Sequence, residues 1–236
     1  YTHPAPLALG SLVRVPLGKR ETLGVVWSPD AAQSTGEIDP GKVKSVAGAL
    51  EGIAPLSAAW QQLVTFTAQY YQRSLGEVAL AALPPQLRDL SPEQVQRRLQ
   101  RGAARVKVSS AASCANAEQN TLPPFQPQAL PPALSPEQAA AVQQIHQHAG
   151  PFLLFGTTGS GKTEVYLQAV QAALQANPLA QALVMVPEIN LTPQLEARFT
   201  QRFAPEYGEA AVVSIHSGMT NPQRLRSWLA AHSGQA

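Results

Sequence analysis

Residues 156–163, Gly-Thr-Thr-Gly-Ser-Gly-Lys-Thr, restrict what this chain can fold into more than any other stretch. They fit G-x-x-x-x-G-K-[ST] at every position, with an apolar run at 152–155 before them and a helical pattern over about 161–176 after them. A strand feeding a glycine loop and then a helix is the opening unit of a parallel sheet covered by helices. The glycines let backbone N–H groups face an anion, and the helix start adds its positive end. The spacing therefore predicts a phosphate cradle made of Gly156, Thr157, Thr158, Gly159, Ser160, Gly161, Lys162 and Thr163. In such a loop the lysine reaches the β and γ phosphates of ATP and the threonine hydroxyl ligates Mg2+. A glycine-rich turn with a chance lysine would explain the loop alone, but not the loop in this setting.

The residues around the loop continue the same alternation. "LSPEQ" opens a helix, with Ser135 as N-cap, Pro136 in the first turn and Gln138 three residues after the cap. Further strands are predicted over 182–186 and 211–215, and further helices over 192–203 and 221–231. The first ninety residues read differently. Residues 10–28 suggest two short strands around a turn at Gly18-Lys19-Arg20-Glu21, with Val13, Val15 and Leu17 on one face. A third strand is expected over 43–49. A helix follows over 55–73, where Trp60, Leu63, Val64, Thr67 and Tyr71 recur at helical spacing and Pro55 sits in the first turn. Between the two parts, residues 91–133 hold one possible polar helix (93–101) and then a stretch dense in Ser, Ala, Asn, Gln and Pro, which reads as a linker. The class expected is α/β: a small β-rich unit over 1–90 closed by a helix, a polar linker over 91–133, and over 134–236 the first part of a RecA-like parallel-sheet lobe.

Charge is unhelpful about partners. The net formal charge is +2; residues 1–90 hold seven basic and seven acidic side chains, and 91–133 five basic and two acidic. A solvated linker explains that excess as well as nucleic acid does. Cys114 is the only cysteine, so a disulfide within the chain and a cysteine-based zinc cluster are both excluded. No run of 18 apolar residues and no leader pattern is present, and the chain starts at Tyr1 rather than Met. Together these suggest a cytoplasmic setting with no membrane partner, and a fragment or trimmed start.

Three stretches carry a family resemblance. "GTTGSGKTEVYL", "ALVMVPEINLTPQLEARF" (182–199) and "IHSGMTNPQRLRSW" (215–228) occur in helicase order, after "LSPEQAAAV". They resemble the primosomal protein N′ (PriA) family of replication-restart DNA helicases of superfamily 2. "LVRVPLGK" (12–19) and "YYQRSLGEVALAALP" (70–84) extend the resemblance to that family's N-terminal domain. It implies an ATP-dependent, 3′-to-5′ DNA helicase of the bacterial cytoplasm and nucleoid that acts on forked and single-stranded DNA, with other primosome proteins and single-stranded-DNA-binding protein as partners. It implies that Gln138 bonds the adenine edge and that residues 1–90 bind the 3′ end of a nascent strand, through Tyr1, the Gly18 turn and Lys44. It also implies that several family features fall outside this sequence: the end-reading aspartate before Tyr1, the Asp-Glu box, the second lobe and the zinc-binding cysteines. The winged-helix domain expected between the two parts is reduced or absent, because 91–133 is too short and too polar for it. On this basis the chain by itself is expected to lack ATPase activity.

Other features are read more plainly. A solvated strand charge is the alternative for Lys44, beside Lys42. Tyr70 and Tyr71 are expected to pack in the core, with base stacking as the second reading. His146 and His148, two apart, fall on different helix faces, which disfavours a metal site. His216 suits either a DNA-backbone or nucleotide-linked role or a local loop hydrogen bond. Glu188 is read as positioning a DNA-touching loop. Arg224 and Arg226 are read as a solvated helix face rather than phosphate contacts. Two further functional classes remain: a non-catalytic DNA-binding module with a passive nucleotide site, and a P-loop small-molecule kinase, which would leave the glutamine motif unexplained.

Overall fold

The computed structural model of the chain describes residues 1–28, 41, 43–98, 133–186 and 192–236. Its described residues fall into two compact units, one from the N-terminal part together with 213–236, the other within 113–212.

The first unit is built on an antiparallel sheet of β1 (Leu12–Leu17), β2 (Arg20–Val25) and β3 (Gly48–Ala49), in the order β2-β1-β3. Leu17 pairs with Arg20, so Gly18 and Lys19 form a two-residue hairpin loop. Gly18 has φ 63°, the positive value that a primed turn requires at its first central position. The third strand is shorter than its sequence suggests. Ahead of β3, Ser45 bridges Thr2 in parallel, with Thr2 N–H donating to the Lys44 carbonyl (2.9 Å) and Val46 N–H to the Thr2 carbonyl (2.8 Å). The first residues of the chain thus compete with β1 for the backbone of 43–49.

The buried face of β1 also differs from expectation. Leu12, Val13 and Arg14 are buried, whereas Leu17 lies exposed beside the hairpin. Leu12 and Leu23 meet Leu50, Leu56, Leu83, Leu87, Leu90, Val95 and Leu225 in one core. Helix α1 (Ala58–Tyr70) starts later than Pro55, because the Ser57 hydroxyl accepts the Trp60 N–H and fixes the first turn there. It buries only Val64 and Ala68. Tyr70 and Tyr71, expected in the core, are 69% and 68% exposed and pack on each other edge to face. Helical periodicity finds a face but not the element that covers it. Helix α2 (Leu75–Ala81) carries a capping box from Ser74 and Glu77, and a 3-10 turn (Pro85–Arg88) drives Leu87 fully into the core. A helical segment over 92–98 follows, capped by Ser91 and Gln94, and buries Val95.

Arg14 locks this unit. Its guanidinium donates to the carbonyls of Leu87 (3.2 Å), Arg88 and Leu90, at the exit of the 3-10 turn. Burial pushes its pKa down, while Glu21 and Asp89 pull it back up. Such a cation is tolerated inside a fold only where its donors are satisfied. Helix α6 (Asn221–His232) completes the same unit: Leu225 enters the core, and His232 Nε2 lies 2.7 Å from the Ala54 carbonyl.

The second unit contains α3 (Pro136–Gln147), α4 (Lys162–Ala176) and α5 (Thr192–Tyr207). The segments 152–155 and 182–186 carry no sheet ladder among the described residues, nor does 211–215, which begins at the end of a 3-10 turn (Glu209–Ala211). Leu153 and Phe155 are 90% and 93% exposed, and Leu183 and Met185 are exposed as well. Parallel strands depend on neighbours for every ladder bond and on helices over both faces. Among the described residues these segments have no strand neighbours. No helix of the described residues is long and apolar enough to cross a membrane.

Candidate nucleotide and DNA-end sites

The glycine loop closes on its own lysine. Lys162 Nζ donates to the carbonyls of Gly156 (2.6 Å) and Thr157 (2.7 Å), and Ser160 N–H donates to the Thr157 carbonyl (3.2 Å). Gly159 and Gly161 have φ 87° and 78°, values that a side chain would strain. Gly161 is also the N-cap of α4 and offers no side-chain acceptor to the first turn. Glu164 N–H bonds the Gly161 carbonyl (3.0 Å), and the amides before it in the first turn take no side-chain cap, which suits an anion. A Cβ at Gly161 would collide with Gln138 Nε2, and one at Gly156 would lie 2.7 Å from Ser160 Oγ. At Gly156 and Gly161, then, the loop leaves no space for a side chain.

Gln138 joins α3 to this loop. Its Oε1 accepts the Ser135 N–H (2.9 Å), completing the capping box expected from "LSPEQ", and its Nε2 donates to the Ser160 carbonyl (3.0 Å). An amide side chain has two N–H donors and two acceptor lone pairs. One of each remains, which is the pair that the N6/N7 edge of adenine needs.

Thr163, the magnesium-binding position expected from the motif, is one residue inside α4. Its Oγ1 accepts a hydrogen bond from Tyr166 Oη at 3.2 Å. Tyr166 stacks on Phe199 of α5, with centroids 6.4 Å apart and planes at 16°. Beside it, Glu164 forms an ion pair with Arg202 at 3.2 Å, and Arg202 Nε donates to Gln171. Neither Tyr166 nor Arg202 was singled out from the sequence. The three-residue spacing from Thr163 to Tyr166 was the available signal for the first; the second depends on a partner 38 residues away and left none.

On the first unit, the backbone brings Tyr1, Gly18 and Lys44 to one region of the sheet. Tyr1 Oη donates to the Pro16 carbonyl (2.9 Å), two residues before Gly18, while Thr2 pairs with the Lys44 carbonyl. Lys44 is exposed, and Lys42 lies outside the described residues. Glu188 and Cys114 also lie outside them. Arg224 is not a solvated charge: it donates to the carbonyls of His216 (3.1 Å) and Ser217 (2.9 Å), bracing the turn before α6. The His216 Nδ1 is enclosed with no hydrogen-bond partner among the described residues. His148 Nδ1 lies 3.3 Å from the Gln144 carbonyl. No group of three metal-type side chains occurs among the described residues.

The family described as "3'DNA-binding domain (3'BD)" matches residues 1–84, and that described as "DEAD/DEAH box helicase" matches residues 135–233. The second match puts the loop and its flanking apolar segments in a RecA-like helicase region of the α/β class. The replication restart protein PriA of Haemophilus influenzae is 46% identical over 105 residues, 44% of this chain and 13% of its own length. The proteins of that name from Treponema pallidum and Rickettsia conorii are each 29% identical, over 96% and 93% of this chain. The chain spans 30% and 29% of the length of those two relatives.

Proposed function

Because the chain belongs to the PriA family of replication restart proteins, we propose that it serves an ATP-dependent DNA helicase that recognises stalled or repaired forks, unwinds them 3′ to 5′ and initiates primosome assembly. In this reading residues 1–90 capture the 3′ end of a nascent strand, through Tyr1, the backbone at Gly18 and Lys44. The nucleotide is gripped from the second unit, through α3, the glycine loop and α4. The full protein works in the bacterial cytoplasm on forked and single-stranded DNA, with primosome proteins and single-stranded-DNA-binding protein, and holds zinc outside these residues.

The observation that carries the reading is the closed loop itself, in which Lys162 spans the Gly156 and Thr157 carbonyls beside a helix start without a side-chain cap. An incoming triphosphate offers that ammonium group a stronger, charge-assisted partner than two neutral carbonyls. The loop amides then hold the phosphates, Thr163 Oγ1 holds Mg2+, and Gln138 holds the adenine. The bound Mg2+ supplies charge neutralisation as the terminal phosphoryl group leaves.

DNA-stimulated ATP turnover by the full-length protein is the test. Turnover that rises several-fold on adding forked DNA supports the motor reading. Tight fork binding with no turnover would leave a DNA-binding module with a passive nucleotide site.

A further inference from the structure

We infer that Tyr166 is a positioning residue for the metal-binding hydroxyl of Thr163, an inference that rests on the nucleotide reading above. Three observations converge on it. Thr163 and Tyr166 lie three apart on α4 and so share a face, and the phenol lies 3.2 Å from Thr163 Oγ1. The tyrosine ring is stacked on Phe199 of α5, which fixes where its hydroxyl points. Phe199 in turn packs against the buried Phe203 (5.7 Å between centroids), and the Glu164–Arg202 pair ties the same two helices together on the next turn.

The chemistry follows from the hydroxyl's inventory. A threonine oxygen has two lone pairs and one proton. When the phenol donates to one lone pair, the Thr163 side chain is held in one rotamer and the second lone pair is left for a cation. Without the phenol the hydroxyl loses the partner that holds this rotamer, because Thr163 sits in the first turn of α4 with no helical turn before it to supply a carbonyl. Tyr166 therefore keeps the oxygen oriented before the metal arrives, and α5 keeps Tyr166 in place.

Tyr166→Phe separates this from packing, because it removes the hydroxyl and keeps the stacked ring. The measurement is the affinity of the full-length protein for a fluorescent ADP, titrated once with Mg2+ and once with EDTA, alongside Thr163→Val and with fork-DNA affinity as a check on folding. The expected result is a loss of about 3–10-fold in the Mg2+ arm, the size of one net hydrogen bond, with the EDTA arm and fork binding unchanged. Thr163→Val should lose at least as much in the Mg2+ arm. Wild-type affinity in Tyr166→Phe, with Thr163→Val impaired, would overturn the inference and leave the nucleotide reading standing. An equal loss in both arms would overturn it too, making Tyr166 a packing residue. No Mg2+ dependence in the wild type, or none lost in Thr163→Val, would instead remove the metal role of Thr163 and the inference with it.

Discussion

Replacing Arg14 with methionine should loosen the whole first unit, although the residue touches none of the proposed sites. The side chain is 4% exposed and its guanidinium serves the carbonyls of Leu87, Arg88 and Leu90. Methionine fills most of the volume and supplies no donor. The bonds to Leu87 and Leu90 are buried, so those acceptors lose their partner without gaining water, while the Arg88 carbonyl is partly exposed and can be hydrated. At about 1–2 kcal/mol for each buried acceptor, the loss is about 3 kcal/mol. For a unit of roughly 100 residues that lowers Tm by about 12–24 °C, or the urea midpoint by about 1–3 M. Tryptophan fluorescence reports it directly, because Trp27, Trp60 and Trp228 all lie in this unit and Trp27 packs against Trp60. Arg14→Lys should lose part of this, since one ammonium cannot reproduce the fork of the guanidinium. A change below about 0.5 kcal/mol in Arg14→Met would refute the reasoning, because that is the range of an ordinary surface substitution.

Two further outcomes are expected. Gln138→Ala in the full-length protein should reduce the preference for ATP over GTP by about tenfold, the scale of one lost bidentate base contact, as read from competitive binding of the two nucleotides; an equal fall for both would make Gln138 a brace for Ser160 alone. Residues 1–90 carry equal numbers of basic and acidic side chains, so the proposed strand-end recognition there would come from fitted polar groups rather than bulk charge. The full-length protein should therefore bind a fork with a free 3′ hydroxyl more tightly than the same fork with a 3′ phosphate at equal salt, and equal affinities would reduce the domain to a general DNA clamp.

What the sequence discloses and what it hides divide along contact range. The glycine loop before α4 and the Ser135–Gln138 box are local devices, set by glycine geometry and three-residue spacings, and both turns are formed where the residues place them. The hairpin at Gly18 is legible for the same reason. Arg14 is different: in "LVRVPLGK" it has the spacing of an outward strand charge, and only carbonyls more than 70 residues away account for its burial. Val95 and Leu225 join one core across 130 residues of chain, which no periodicity announces. The exposure of Tyr70 and Tyr71 is the converse case: periodicity put them in the core, and no element of the described residues covers them. At the candidate nucleotide site the motif proposes Lys162 and Thr163, whereas the hold of Phe199 on Tyr166 comes from the tertiary packing of α4 and α5.

The central claim is that the loop at 156–163 drives a motor while DNA-end capture resides elsewhere in the chain. Lys162→Ala in the full-length protein tests it most directly, with ATP turnover and fork affinity measured on the same preparation. On the proposed reading the lysine's charge would serve the departing phosphoryl group, so turnover should fall by at least about 10³-fold, the scale of losing one such group, while fork affinity stays within about twofold. Wild-type turnover in that variant would contradict the account.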